Sequence, residues 1–168
     1  MMSKIRISAI IFLTIILELS FFPALFSGYI FPDIALVFII LWSSHKKFEE
    51  IWLWAFFTGL ILDLVISEKI GINALSFLMI VFGTSFLRER FFISQRSSAF
   101  FIALIMVAGG TALHLLFVNF LADLSIIFSL KFFIIKICSN IIIAIFLYFI
   151  LAKFKIIFGI NENKLIIR

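Results

Sequence analysis

The chain has little of what a water-soluble protein is built from. Charged residues make up only 14% of its 168 residues, well below the roughly 25% of soluble domains. Apolar residues reach 65%, where about half is usual, and the mean hydropathy is +1.31. The single cysteine, Cys138, has no partner for an intrachain disulfide, and no Cys-x-x-Cys or Cys/His spacing points to a metal. Its default role, deep in the last apolar stretch, is that of a small packing residue. Soluble linkers, low-complexity tracts and obvious repeats are missing. So are a nucleophile–base pair, a phosphate-binding glycine loop and a metal-ligand set. Catalysis therefore has no sequence signal, and no cofactor is expected.

What is present is apolar and periodic. Six stretches, at about 4–26, 30–44, 48–66, 72–90, 97–122 and 128–153, read as membrane helices, because crossing about 30 Å of hydrocarbon takes roughly 20 residues. The fold class expected is an all-α membrane protein, one integral domain with six transmembrane helices in a bundle. The stretch 30–44 is the short one. The N-terminal stretch follows Lys4 and Arg6 but has no small-residue cleavage site, so it reads as an uncleaved first helix. The 25 phenylalanines read as lipid-facing surface.

Basic residues fall in alternate gaps. Lys4 and Arg6, then Lys46 and Lys47, then Arg88, Arg90 and Arg96, then Lys153, Lys155, Lys164 and Arg168 account for all fourteen except Lys69, Lys131 and Lys136. Cytoplasmic loops carry such an excess. The pattern places both termini in the cytoplasm. The net charge of +5 then reflects topology and anionic lipid headgroups rather than nucleic acid.

Local signals mark the boundaries. Pro32 suits the first turn of a helix, where its missing N–H costs nothing. Asp33 places a carboxylate at the positive end of the helix dipole. The polar run 67–71 reads as a tight turn with Gly71 at positive φ. Trp42, Trp52 and Trp54 flank the Lys46–Lys47 loop, where indoles favour the interface.

Several polar residues lie where a bilayer makes them costly. Glu18, Asp63, His114 and Lys136 fall within the stretches, with Asp33, Asn73, Asn119, Asp123 and Lys131 nearer a surface. Under the six-crossing topology all sit in the outer half. Thr14 and Glu18, Gly59 and Asp63, Gly110 and His114, and Lys136, Asn140 and Ala144 recur at helical spacing, so each set shares a face. Pro32, Gly59, Gly71, Gly109 and Gly110, with Ala99 and Ala103, mark close helix packing. The polar set (Glu18, Asp33, Asp63, Asn73, His114, Lys136 and Asn140) is expected either to fix the helices, with Asp63 or Glu18 paired to Lys136, or to meet a ligand or a partner protein.

The runs Phe31-Pro32-Asp33-Ile34-Ala35-Leu36-Val37, Gly59-Leu60-Ile61-Leu62-Asp63-Leu64 and Gly71-Ile72-Asn73-Ala74-Leu75, in that order, resemble the rod shape-determining MreD family. That family opens its second helix with a Pro-Asp pair. It also carries a Gly-x-x-x-Asp motif followed by a Gly-x-x-Ala motif across its third and fourth helices. The motifs cover about residues 31–75. The resemblance implies a non-catalytic subunit of the elongation machinery in the bacterial inner membrane. It implies MreC as direct partner, with MreB, RodA and a cell-wall transpeptidase further out. It also implies a six-helix fold similar to the substrate-binding subunits of energy-coupling-factor vitamin transporters. A vitamin-binding subunit is the rival reading, but the Ala-x-x-x-Ala stripe of those subunits is missing, since Ala9 is followed four residues on by Leu13. Whether the chain forms a homodimer is open at this level.

Overall fold

The computed structural model describes residues 2–25, 31–66, 70–91, 98–121 and 130–153. Among these, all regular structure is helical, in six helices. Helix α1 runs as an α segment Met2–Ile16, a π turn Leu17–Phe21 and a short α segment Phe22–Leu25. The others are α2 (Ile34–Ser43), α3 (Phe48–Ile66), α4 (Ile72–Phe91), α5 (Ser98–Leu121) and α6 (Leu130–Lys153). The expected helix ends at 26, 30, 97, 122 and 128, the turn residues 67–69, Asp123, Arg96, Lys155, Lys164 and Arg168 lie outside the described residues, as does the side chain of Ala99.

Four helices carry apolar stretches long enough to cross a membrane: Ile5–Ala24 in α1, Ile72–Arg90 in α4, Phe100–Leu121 in α5 and Leu130–Leu151 in α6. α3 has 19 residues, about 28 Å, but opens with Glu49 and Glu50 and carries Asp63. α2 corrects the expectation for the second stretch. Its ten residues span only about 15 Å. Pro32 lies before the helix, not in its first turn, and Phe31, Pro32 and Asp33 carry no regular structure.

The sequence of α2 explains its place. Ile-Ala-Leu-Val-Phe-Ile-Ile-Leu-Trp is apolar on every face, and such a helix is stable only when covered all round. All ten of its residues are buried, and each of the other helices packs against it. Trp42 belongs to this core at 2% exposure, against Phe38 and Trp54, rather than to the interface. Trp52 is the exposed member of the trio.

Glycine sets two close approaches. A Cβ on Gly59 would lie 2.6 Å from the Ala74 Cα and N, so only glycine lets α3 meet the start of α4. A Cβ on Gly110 would lie 2.6 Å from Ile40 Cδ1, which brings α5 against α2. Gly109 corrects the expectation for its pair: it is exposed, and a Cβ there would meet nothing within 4 Å. Gly71 also does no packing. It takes φ +104°, a conformation that glycine enters without penalty. Cys138, expected to pack, is exposed.

The π turn of α1 has a local cause. Pro23 has no N–H, and a proline ring crowds the carbonyl four residues back. The turn just before it widens, and the Phe22 N–H donates to the Leu17 carbonyl five residues away. Glu18 sits in that widened turn.

Candidate functional site

α2 and α4 both start at the same end of the bundle, and the polar residues gather there. Their depths agree across three helices. Glu18 is six residues from the end of its apolar stretch, and Lys136 is six residues into its own, about 9 Å in each case. Thr111 and Asn140 are each ten residues in, about 15 Å.

The first group surrounds the start of α2. Free N–H groups at a helix start are costly in hydrocarbon, where no water can satisfy them. The Ala35 N–H donates to Glu18 Oε2 at 2.8 Å. The Asp33 N–H donates to Asn140 Oδ1 at 2.8 Å, and Asn140 Nδ2 donates to Thr111 Oγ1 at 3.0 Å. Lys136 Nζ donates to the Phe31 carbonyl and to Asp33 Oδ1, both at 2.6 Å, and lies 5.0 Å from the Phe31 ring centre. Pro32 contributes by having no N–H to satisfy. The non-helical segment 31–33 is thus held by α6 side chains, and the first turn of α2 by Glu18 of α1. Asp33 caps α2 by position but not with its carboxylate. Lys136 pairs with Asp33, which corrects the expected pairing with Asp63 or Glu18.

The second group surrounds the start of α4. Asp63 Oδ2 accepts the Gly71 and Ala74 N–H groups at 3.0 and 3.1 Å, and Oδ1 accepts the Asn73 N–H at 2.9 Å. Asp63 is fully buried. It lies three residues from the end of α3, where its own helix dipole disfavours negative charge. The positive end of α4 offsets this. Asn73 enters through its backbone N–H. Ser76 Oγ donates to the Asn73 carbonyl at 3.0 Å and lies 2.9 Å from His114 Nδ1. A hydroxyl has one proton, so with it on the carbonyl, His114 Nδ1 is the donor. Phe77 packs edge-on to His114.

The groups join on α5, where Thr111 and His114 are three residues apart and so neighbours. Every member of the expected polar set is therefore at this end. Ser76 and Thr111 went unnoticed in the sequence; Thr111 follows Gly110 on the face that carries His114, which was the available signal. Asn119 is half-buried, and Lys131 is exposed at the start of α6. Among the described residues, no group of three or more His, Cys, Asp or Glu could hold a metal ion.

Neither the curated proteins nor the solved structures compared with the chain gave a match. A family model described as rod shape-determining protein MreD matches residues 2–157. That match takes in both polar groups and all six helices as far as Lys153. The chain belongs to the MreD family of rod shape-determining membrane proteins.

Proposed function

We propose that this chain is a non-catalytic scaffold subunit of the bacterial elongation complex in the inner membrane. It binds MreC directly, reaches MreB, RodA and a cell-wall transpeptidase through it, and so supports peptidoglycan synthesis and rod shape. The observation that carries the reading is that the polar end is turned on the chain itself. Glu18, Asp63, Lys136 and Asn140 are buried and spent on the chain's own backbone. Costly intramembrane groups used this way hold helix ends in fixed positions, which is what a scaffold needs. Asp63 is fully buried with both oxygens on the start of α4, so its effect on MreC runs through the frame rather than through direct contact.

The proposed topology has six crossings, with both termini cytoplasmic and the polar end toward the outside. Lys46, Lys47, Arg88, Arg90 and Lys153 all fall at the opposite end, as the charge bias of cytoplasmic loops requires. The segment 31–33 extends α2 toward the outer surface, and non-helical backbone at membrane depth is tolerated where protein buries it. No observation among the described residues favours the vitamin-binding reading, since the chain's own side chains occupy the polar end.

Depletion in a rod-forming host tests the role: rods should become spheres and recover with the wild-type chain. Co-purification tests the partner: MreC should be retained by the wild type and lost with Asp63→Ala. Full retention by a stably inserted Asp63→Ala variant, or unchanged cell shape, would remove the reading.

A further inference from the structure

The five helices around α2 form an incomplete ring. α1 touches α3, α3 touches α4, α4 touches α5 and α5 touches α6. The closing pair is missing: among the described residues, no Cα of α1 comes within 8 Å of a Cα of α6. Packed helices sit roughly 8–10 Å apart axis to axis, which brings facing Cα atoms closer than that. The helices that flank the seam are also the least covered. Of the 18 residues at the heart of each apolar stretch, only 22% are buried in α1 and in α6, against 44% in α4. Side chains still close over α2, so the seam is a groove.

Length and chemistry select what fits it. The flanking apolar stretches have 20 and 22 residues, so the groove runs the full hydrocarbon thickness. Near its polar end, Glu18 of α1 and Lys136 of α6 converge on the start of α2. Asp33 lies there with Oδ1 on Lys136 and with Oδ2 buried and lacking any hydrogen-bond partner. The Lys136 ammonium serves Asp33 Oδ1 and the Phe31 carbonyl and leaves Oδ2 unmet, so this end is short of a donor. An acyl chain could fill the groove but carries no donor. A helix brings apolar side chains and can bring a hydroxyl, amide or cationic group.

We propose that the α1–α6 seam receives one apolar transmembrane helix of a partner protein, with a hydrogen-bond donor at the depth of Asp33. The choice of MreC as that partner rests on the scaffold reading; the groove does not. Phe100 packs on Tyr148 and Phe149, which marks the flank of α6 that faces α5. With Lys136, Asn140 and Ala144 turned inward, helical periodicity puts Ser139, Ile143 and Phe146 on the other flank, toward the seam.

The test uses the full-length chain co-expressed with MreC in intact cells. A photo-crosslinking benzoylphenylalanine replaces Phe146 on the seam or, as control, Ile105 on α5; both are well exposed. Irradiation should join Phe146, and not Ile105, to a peptide from the MreC membrane helix. Ile143→Trp, which fills the groove, should cut that adduct at least tenfold while the thermal midpoint stays unchanged. Equal adducts at both positions, lipid adducts alone, or an adduct with a second copy of this chain would overturn the seam. MreC that co-purifies without a Phe146 adduct overturns the seam and keeps the scaffold reading. If MreC does not co-purify, the scaffold reading loses its partner. The seam then stands only if the Phe146 adduct maps to another protein's membrane helix and Ile143→Trp removes it; any other result overturns it too.

Discussion

Asp63 and Glu18 perform the same task on successive hairpins. Each carboxylate sits toward the end of one helix and accepts backbone N–H groups at the start of the next, Asp63 from Gly71, Asn73 and Ala74, Glu18 from Ala35. The two helices so capped, α2 and α4, begin at the same end of the bundle. The device substitutes for water, which a bilayer does not supply to a helix start.

Removing these caps should destabilise in proportion to the N–H groups orphaned. Asp63→Ala leaves three, and each unmet buried group costs on the order of 1 kcal/mol or more. A loss of about 3 kcal/mol is expected, against about 1 kcal/mol for Glu18→Ala. Asp63→Asn keeps one acceptor and should fall between them. Reversible unfolding of the purified variants in detergent micelles gives the ranking, and a Glu18→Ala loss as large as that of Asp63→Ala would contradict it.

The Lys136–Asp33 pair should show strong coupling. Lys136→Met strands the Asp33 carboxylate and the Phe31 carbonyl, and breaking a buried ion pair from one side costs about 3 to 5 kcal/mol. Adding Asp33→Asn removes the stranded charge, so the double variant should recover part of that loss. A double-mutant cycle on unfolding free energy measures the recovery; additive losses would mean that the pair does not act as a unit.

How much of this was legible in the sequence follows from what each feature requires. Gly59 and Asp63 announce themselves because a four-residue spacing on a helix fixes a shared face, and Gly71 because a turn needs its φ. The Lys136–Asp33 pair joins residues 103 positions apart, and no local pattern specifies that. The start of α2 was misplaced for the same reason. Pro32 fits a first helical turn on local grounds, but Lys136 and Asn140, both on α6, supply the bonds that hold residues 31–33 unwound. Facing was hardest. Lipid and protein core are both apolar, so hydropathy does not say that Trp42 turns inward while Cys138 and Gly109 turn out.

Gly59→Ala should be among the most damaging small substitutions in the chain. Its Cβ would meet the backbone of Asn73 and Ala74 at 2.6 to 2.7 Å, and backbone cannot rotate away. Separating α3 from α4 there also pulls Asp63 from its three donors. A loss beyond the usual 1–3 kcal/mol of overpacking, about 3 kcal/mol or more, is expected. Gly109→Ala, with open space around it, should be neutral within roughly 0.5 kcal/mol. Thermal scans of the two variants side by side decide the matter, and comparable midpoints would refute the close approach.

Gly110→Ala differs in a way that allows rescue. Its Cβ would lie 2.6 Å from Ile40 Cδ1, the tip of a side chain, and 3.3 Å from Ile80 Cγ2. The overlap is with a methyl that valine lacks. Gly110→Ala alone should cost about 1–3 kcal/mol, and Ile40→Val alone about 1 kcal/mol for the small cavity it leaves. Together the new methyl occupies the space that the old one vacated, so the double variant should be more stable than Gly110→Ala by itself. Unfolding free energies of the four proteins in the cycle measure this directly. A double variant less stable than Gly110→Ala would mean that α5 and α2 do not meet at these two residues.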